Sequence, residues 1–248
     1  MMKNYIPKND LLKNRTILVT GAGAGIGKAV AIAYAKYGAQ VILLGRTADK
    51  LQAVCHQIQA AGYPAATPVV FDLNSNCYAD YVAVATQIEN NFYPLYGLVH
   101  NAGLLGERKS VGEYSPEVWA EVMQVNVNAQ FLLTRALLPL LRKNENGSVI
   151  FTSSNVGIQG RANWGAYCVS KFATEGLAQL LADEEKQLSS LRINTINPGR
   201  VRTAMRAQAY PDEDPMSLVS PQEVVLTYLY LMDGDNSGIT GQRINAQN

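Results

Sequence analysis

The sequence predicts a doubly wound α/β fold, a parallel sheet with helices on both faces, and three observations carry that expectation. Short apolar runs of β type alternate with longer stretches of helical periodicity along nearly the whole chain. Several of those runs lack any polar alternation, as strands do when both of their faces are covered. A glycine-rich turn follows the first run directly and leads into a helical stretch, the place where such sheets receive a phosphate.

In chain order, the expected strands are Thr16 to Thr20, Val41 to Leu44, Thr67 to Phe71, Leu95 to Val99, Ser148 to Thr152 and Arg192 to Ile196. The expected helices are Ile26 to Tyr37, Ala48 to Ala61, Cys77 to Asn91, Pro116 to Arg142, Ala166 to Leu188 and Pro221 to Met232. No linker-like stretch divides the chain, so residues 1–248 read as a single domain with an N-terminal extension over 1–14. The segment 203–220, with Pro211 and Pro215 and little periodicity, reads as a mobile loop over a site.

With 248 residues, 48% of them hydrophobic, the chain has enough apolar mass for one substantial core. A net charge of +1 provides no basic field for nucleic acid or an anionic membrane, so a small-molecule partner is expected. There is no signal-like or membrane-spanning apolar run. Three cysteines (Cys55, Cys77, Cys168) and two histidines (His56, His100) have no metal-ligand spacing, so neither a disulfide scaffold nor a metal site is expected, and the cytoplasm is the natural compartment.

The turn reads Thr20-Gly21-Ala22-Gly23-Ala24-Gly25-Ile26-Gly27, in which missing Cβ atoms allow a tight bend and let a pyrophosphate approach the N-terminus of the next helix. It is neither the G-x-G-x-x-G spacing nor a P-loop. Its Thr-Gly-x-x-x-Gly-x-Gly spacing resembles the nucleotide signature of the short-chain dehydrogenase/reductase family, whose further motifs occur in order. Asp72 with Leu73 follows the third strand, Asn101-Ala102-Gly103 the fourth, Tyr167-Cys168-Val169-Ser170-Lys171 opens a helix, and Asn197-Pro198-Gly199 with Thr203 follows the sixth strand. The resemblance implies a Rossmann-type nucleotide fold. It also implies that Gly21, Ala24, Gly25, Ile26 and Gly27 cradle the cofactor, that Asp72 bonds the adenine, that Asn101 to Gly103 line the site, and that Pro198, Gly199 and Thr203 flank the nicotinamide. A bacterial subgroup of oxidoreductases, the YciK type, is the most similar, through His100 to Gly106, Met123 to Ala129 and Gly160 to Tyr167.

Cofactor choice turns on the end of the second strand, where an acid would bond both ribose hydroxyls of NAD and repel a 2′-phosphate. That place reads Leu44-Gly45-Arg46-Thr47. Without an acid, and with the cationic fork of Arg46, NADP is preferred and NAD is admitted.

Tyr167 and Lys171 lie four apart on an expected helix and share a face, so an ammonium would favour the phenolate of a tyrosine whose ordinary pKa is near ~10. Tyr167 is then the acid/base for hydride exchange with a carbonyl or alcohol substrate. By resemblance, Ser154, thirteen residues earlier, bonds the substrate oxygen, and Asn126 holds a water beside the lysine. Arg161, Asn163 and Trp164 border the expected substrate pocket and would recognise an anionic or aromatic group, or else serve as surface and packing residues. His100 and Cys168 read as structural. The alternative is a catalytically silent dinucleotide sensor or scaffold, and the intact Ser154, Tyr167 and Lys171 argue against it. An epimerase or an enoyl reductase would use different spacings. The helices over 116–142 and 166–188 carry more apolar residues than one sheet face needs, which leads to an expected homodimer or homotetramer. The ending, Ile244 to Asn248, departs from the family's glycine-rich form.

Overall fold

A computed structural model describes residues 5–92 and 94–247 and contains one seven-stranded sheet. The strands are β1 (Thr16–Thr20), β2 (Gln40–Gly45), β3 (Thr67–Val70), β4 (Leu95–His100), β5 (Ser148–Thr152), β6 (Arg192–Asn197) and β7 (Arg243–Asn245). They lie in the order β3-β2-β1-β4-β5-β6-β7, and every pairing is parallel. This is the doubly wound arrangement. The direction of winding reverses between β1 and β4, which opens a crevice at the carboxyl ends of those two strands. Residues 1–4 of the expected N-terminal extension and Asn248 of the ending lie outside the described residues.

The apolar runs are strands because both faces are covered. Ile17, Val19, Val41 and Leu43 point to one face, and Leu18, Ile42 and Leu44 to the other, all fully buried. The first face is covered by α1 (Gly25–Lys36), α2 (Ala48–Ala60) and α8 (Val225–Met232). The second is covered by α3 (Tyr78–Phe92), α5 (Ala129–Leu141) and α6 (Gly165–Leu188). Pro68 is accommodated because β3 is a sheet edge, where a missing N–H costs no ladder bond.

Three features differ from the expectation. The helix expected over 116–142 is interrupted: α4 (Pro116–Met123) passes through a π-helical turn at Gln124–Asn128 before α5 begins. Such a bulge inserts an extra residue and re-aims the side chains within it, and Asn126 is one of them. The segment 203–220, expected to lack periodic structure, contains a short helix: α7 (Ala204–Ala209) forms behind Thr203, whose side chain caps it, and Arg202 N donates to Val219 O at 2.9 Å. The ending supplies the unexpected edge strand β7, in which Ile244 pairs with Ile196.

Candidate active site

The crevice at the carboxyl ends of β1, β4, β5 and β6 is a cleft of about 330 Å³. Gly21, Ala24, Gly25 and Ile26 form its nucleotide end, Asn101, Ala102 and Gly103 one wall, and Pro198, Gly199 and Thr203 the other. Gly21 takes φ 66°, and a side chain there would press a Cβ to 2.9 Å from the backbone of Ala102. Ala24, the residue before α1, offers no side-chain cap, so the first N–H groups of that helix face the cleft without an intramolecular acceptor from the capping side chain. A diphosphate fits that polarity and that space.

Thr20 holds the cradle together. Its hydroxyl accepts from Asn101 N at 3.0 Å and Ala102 N at 3.1 Å and lies 3.2 Å from Val99 O, to which it donates. Asn101 Nδ2 returns a bond to Thr20 O at 3.2 Å. The sequence motif contains Thr20, but its role in joining β1 to β4 emerges only once these strands are neighbours.

At the catalytic end, Ser154, Tyr167 and Lys171 all line the cleft. Burial pushes the Tyr167 phenol up to about 12, and a hydrogen bond from Ser154 opposes that rise. Lys171 is buried and held down to about 8 by desolvation, with the carboxylate of Glu175 acting in the other direction. Its ammonium lies 5.4 Å from the centre of the Tyr167 ring and donates to Thr152 O at 2.8 Å. The hydroxyl of Ser154 is thus the hydrogen-bonding group that works against the effect of burial on Tyr167.

Asn126 is fully buried behind this end. Its Oδ1 accepts from Leu104 N at 2.7 Å, and its Nδ2 donates to Leu104 O at 2.9 Å and to Ser170 Oγ at 3.0 Å. The side chain thereby ties the loop after β4 to α6. Glu175 accepts from Thr195 Oγ1 at 2.8 Å and from Arg243 Nε at 3.1 Å, and Arg243 also donates to Ser154 O at 3.3 Å, so β7 braces the serine from behind. Gln247 Nε2 donates to Pro198 O at 2.7 Å, which gives the atypical ending a place against the loop after β6.

Several other sequence candidates lie away from the cleft lining. Gly27 is buried beneath the cradle and acts through packing. Arg46 is exposed just past β2, with no side-chain hydrogen bond or ion pair among the described residues. Asp72 is exposed and accepts from Asn74 N at 3.0 Å, and Leu73 belongs to the core. Trp164 lines the cleft, whereas Arg161 is exposed and donates to the Tyr210 hydroxyl at 3.0 Å. His100 is buried, stacked on Phe151 and within 2.8 Å of Thr134 Oγ1; burial lowers it to about 3, which keeps it neutral and structural.

Part of the lining near Trp164 has no signal in the sequence. Leu105, Val201, Met205, Arg206 and Ala209 complete it. Arg108 packs 4.2 Å from the Trp164 ring and donates to Asn163 O at 3.0 Å and Ala209 O at 2.9 Å, which fastens α7 to the segment before Tyr167. No group of three or more His, Cys, Asp or Glu among the described residues is placed to hold a metal. No helix among them is long and apolar enough to cross a membrane.

The sequence model of the short chain dehydrogenase family matches residues 15–214. The chain is 52% identical over 244 residues to the oxidoreductase YciK of Escherichia coli (strain K12), covering 98% of this chain and 96% of that protein. A crystal structure of a short chain dehydrogenase from Salmonella enterica serovar Typhi superposes with a TM-score of 0.96 at 52% identity, covering 98% of this chain and all of that one. A Shigella flexneri 2a structure complexed with NADP superposes with a TM-score of 0.94 at 51% identity, covering 97% and 100%.

Proposed function

The chain belongs to the short-chain dehydrogenase/reductase family of oxidoreductases, and from that membership we propose that it transfers hydride between NADP(H) and a carbonyl or alcohol substrate, with Tyr167 as general acid/base. The observation that carries this reading is the convergence of Ser154, Tyr167 and Lys171 on one cleft whose other end is an uncapped helix N-terminus. NADPH, when bound, supplies the hydride. Gly21, Ala24, Gly25 and Ile26 would hold its diphosphate and Asn101 to Gly103 its ribose side, with Asp72 and Leu73 toward the adenine.

A phenol held at about 12 is protonated at neutral pH, so Tyr167 enters a reduction with the proton it must give. Ser154 orients the substrate oxygen toward it, and Lys171, charged below about 8, favours the phenolate left behind. Asn126 fixes the loop and helix between which this proton moves. Reduction of an aldehyde and ketone panel with NADPH tests the reading, with Tyr167→Phe as control. A variant turning over as fast as wild type would refute it.

The NADP preference rests on Arg46, which stands just past β2 without a side-chain partner among the described residues, and on the lack of an acid at the end of that strand. Arg46→Ala should weaken NADPH by about 10- to 100-fold and NADH little. Equal losses would refute the assignment. We also take residues 1–248 as one unit in the cytoplasm, with 203–220 closing over the substrate, and as a homodimer or homotetramer. Exposed Phe131 on α5 and Val169, Phe172 and Leu180 on α6 support the assembly, which sedimentation equilibrium would test.

A further inference from the structure

Near Tyr167 the cleft is lined by Leu105, Trp164, Val201, Met205 and Ala209. Leu105, Trp164 and Tyr167 pack into one cluster with Met205 and Ala209 against its edge. Among the described residues no Asp or Glu lines the cleft, and its cationic side chains are Lys171 and Arg206.

Neither cation is available to a substrate anion. Lys171 is committed to Thr152 O and to the proton-transfer end. Arg206 donates twice to Glu213, through Nε at 2.5 Å and Nη2 at 2.7 Å, and its guanidinium lies 3.7 Å from the Tyr210 ring. Arg200 also donates to Glu213, through Nη2 at 2.5 Å, and the bonds from Arg206 and Arg200 together pull Glu213 down to about 2, so the cluster stays ionised across the working range. Arg108 spends two donors on backbone carbonyls, and Arg161 is turned outward onto Tyr210.

We infer that the substrate end of this cleft takes an uncharged, ring-sized carbonyl compound or its alcohol and rejects one that carries a carboxylate. The inference rests on the reductase reading for what is done to the ligand, but not for what binds. A carboxylate entering here would lose its water and meet only cations already bonded to other groups, a cost that an apolar wall cannot offset. Size points the same way. A cleft of about 330 Å³ is at the small end for ligand sites and must also receive the nicotinamide. Of the two recognition modes open to Trp164 and Arg161 in the sequence, the aromatic one survives and the anionic one does not.

The test uses two ligands of one shape, 4-nitrobenzyl alcohol and 4-(hydroxymethyl)benzoate, titrated calorimetrically into Tyr167→Phe protein saturated with NADP⁺. The neutral ligand should bind about 30-fold more tightly. Glu213→Gln, added to the same background, releases Arg206 and should narrow that ratio several-fold by strengthening the benzoate alone. A ratio near one or below in the first protein, or an unchanged ratio in the second, would overturn the inference. Because binding is read without turnover, failure to reduce any carbonyl would sink the reductase reading and leave this result standing.

Discussion

Gly27, the third residue of α1, is buried beneath the residues that line the cleft, yet Gly27→Ala should damage nucleotide binding more than most substitutions in the cleft. An added Cβ would stand 2.5 Å from Asn101 Nδ2 and closer still to the carbonyl oxygen of Gly21. Neither obstacle is the free end of a flexible side chain. The Gly21 carbonyl belongs to a backbone already at φ 66°, and Asn101 is bonded to Thr20 O. The first turn of α1 must therefore back away from β1. Overpacking of this kind costs about 1–3 kcal/mol. Since the atoms that move are the cradle itself, we expect NADPH affinity to fall by about 10- to 100-fold. Fluorescence titration and a thermal melt measure the two effects, with Gly176→Ala as control. That glycine is exposed within α6 and a Cβ there meets nothing within 4 Å, so alanine should add about 0.5–1 kcal/mol of stability without changing affinity. If Gly27→Ala binds NADPH within about twofold of wild type and melts no lower, close packing does not shape the cradle.

Three further outcomes follow from the buried charges. Glu175→Gln removes the carboxylate that opposes the effect of burial on Lys171, so the lysine should drop further below about 8 and the alkaline limb of kcat/KM should move to lower pH; a stationary limb would remove Lys171 from the rate. His100 binds its proton near 3 in the folded chain against 6.5 when unfolded, so its contribution is complete above about 6.5 and is lost as pH falls, by up to about 1.4 kcal/mol per unit. Between pH 6.5 and 4.5, denaturant unfolding of His100→Gln should lose about 2 kcal/mol less than wild type, and parallel losses would contradict the burial argument. Arg142→Ala strands the fully buried Glu185, which Arg142 bonds at 2.6 and 3.1 Å, and should cost about 3 kcal/mol in urea unfolding, part of it restored by adding Glu185→Gln.

What could be read before any coordinates divides along a physical line. Strands β1 to β6 and the helices between them were legible because burial on two faces leaves a periodicity within a dozen residues, and Tyr167 and Lys171 because one helical turn puts both on a face. The glycine turn was legible because a cradle needs its missing Cβ atoms in one short stretch. Illegible were the π-helical turn at Gln124–Asn128, which has an ordinary helical pattern, and β7, only three residues long and made by its pairing with β6. The substrate wall was illegible for a stronger reason. Arg108 meets Asn163 across 55 positions and Ala209 across 101, and Arg206 is held by a glutamate seven positions on that Arg200 shares, so no local pattern announces either. The proposed chemistry is thus written in short-range spacings, and the proposed selectivity in side-chain pairs that no helix or strand period relates. Substitution at Arg108, Met205 or Glu213 can change which molecule enters without altering Ser154, Tyr167 or Lys171. Two chains with the same motifs can therefore carry out one reaction on different substrates, and for this chain the pairing of Arg206 with Glu213 is the contact through which that divergence would pass.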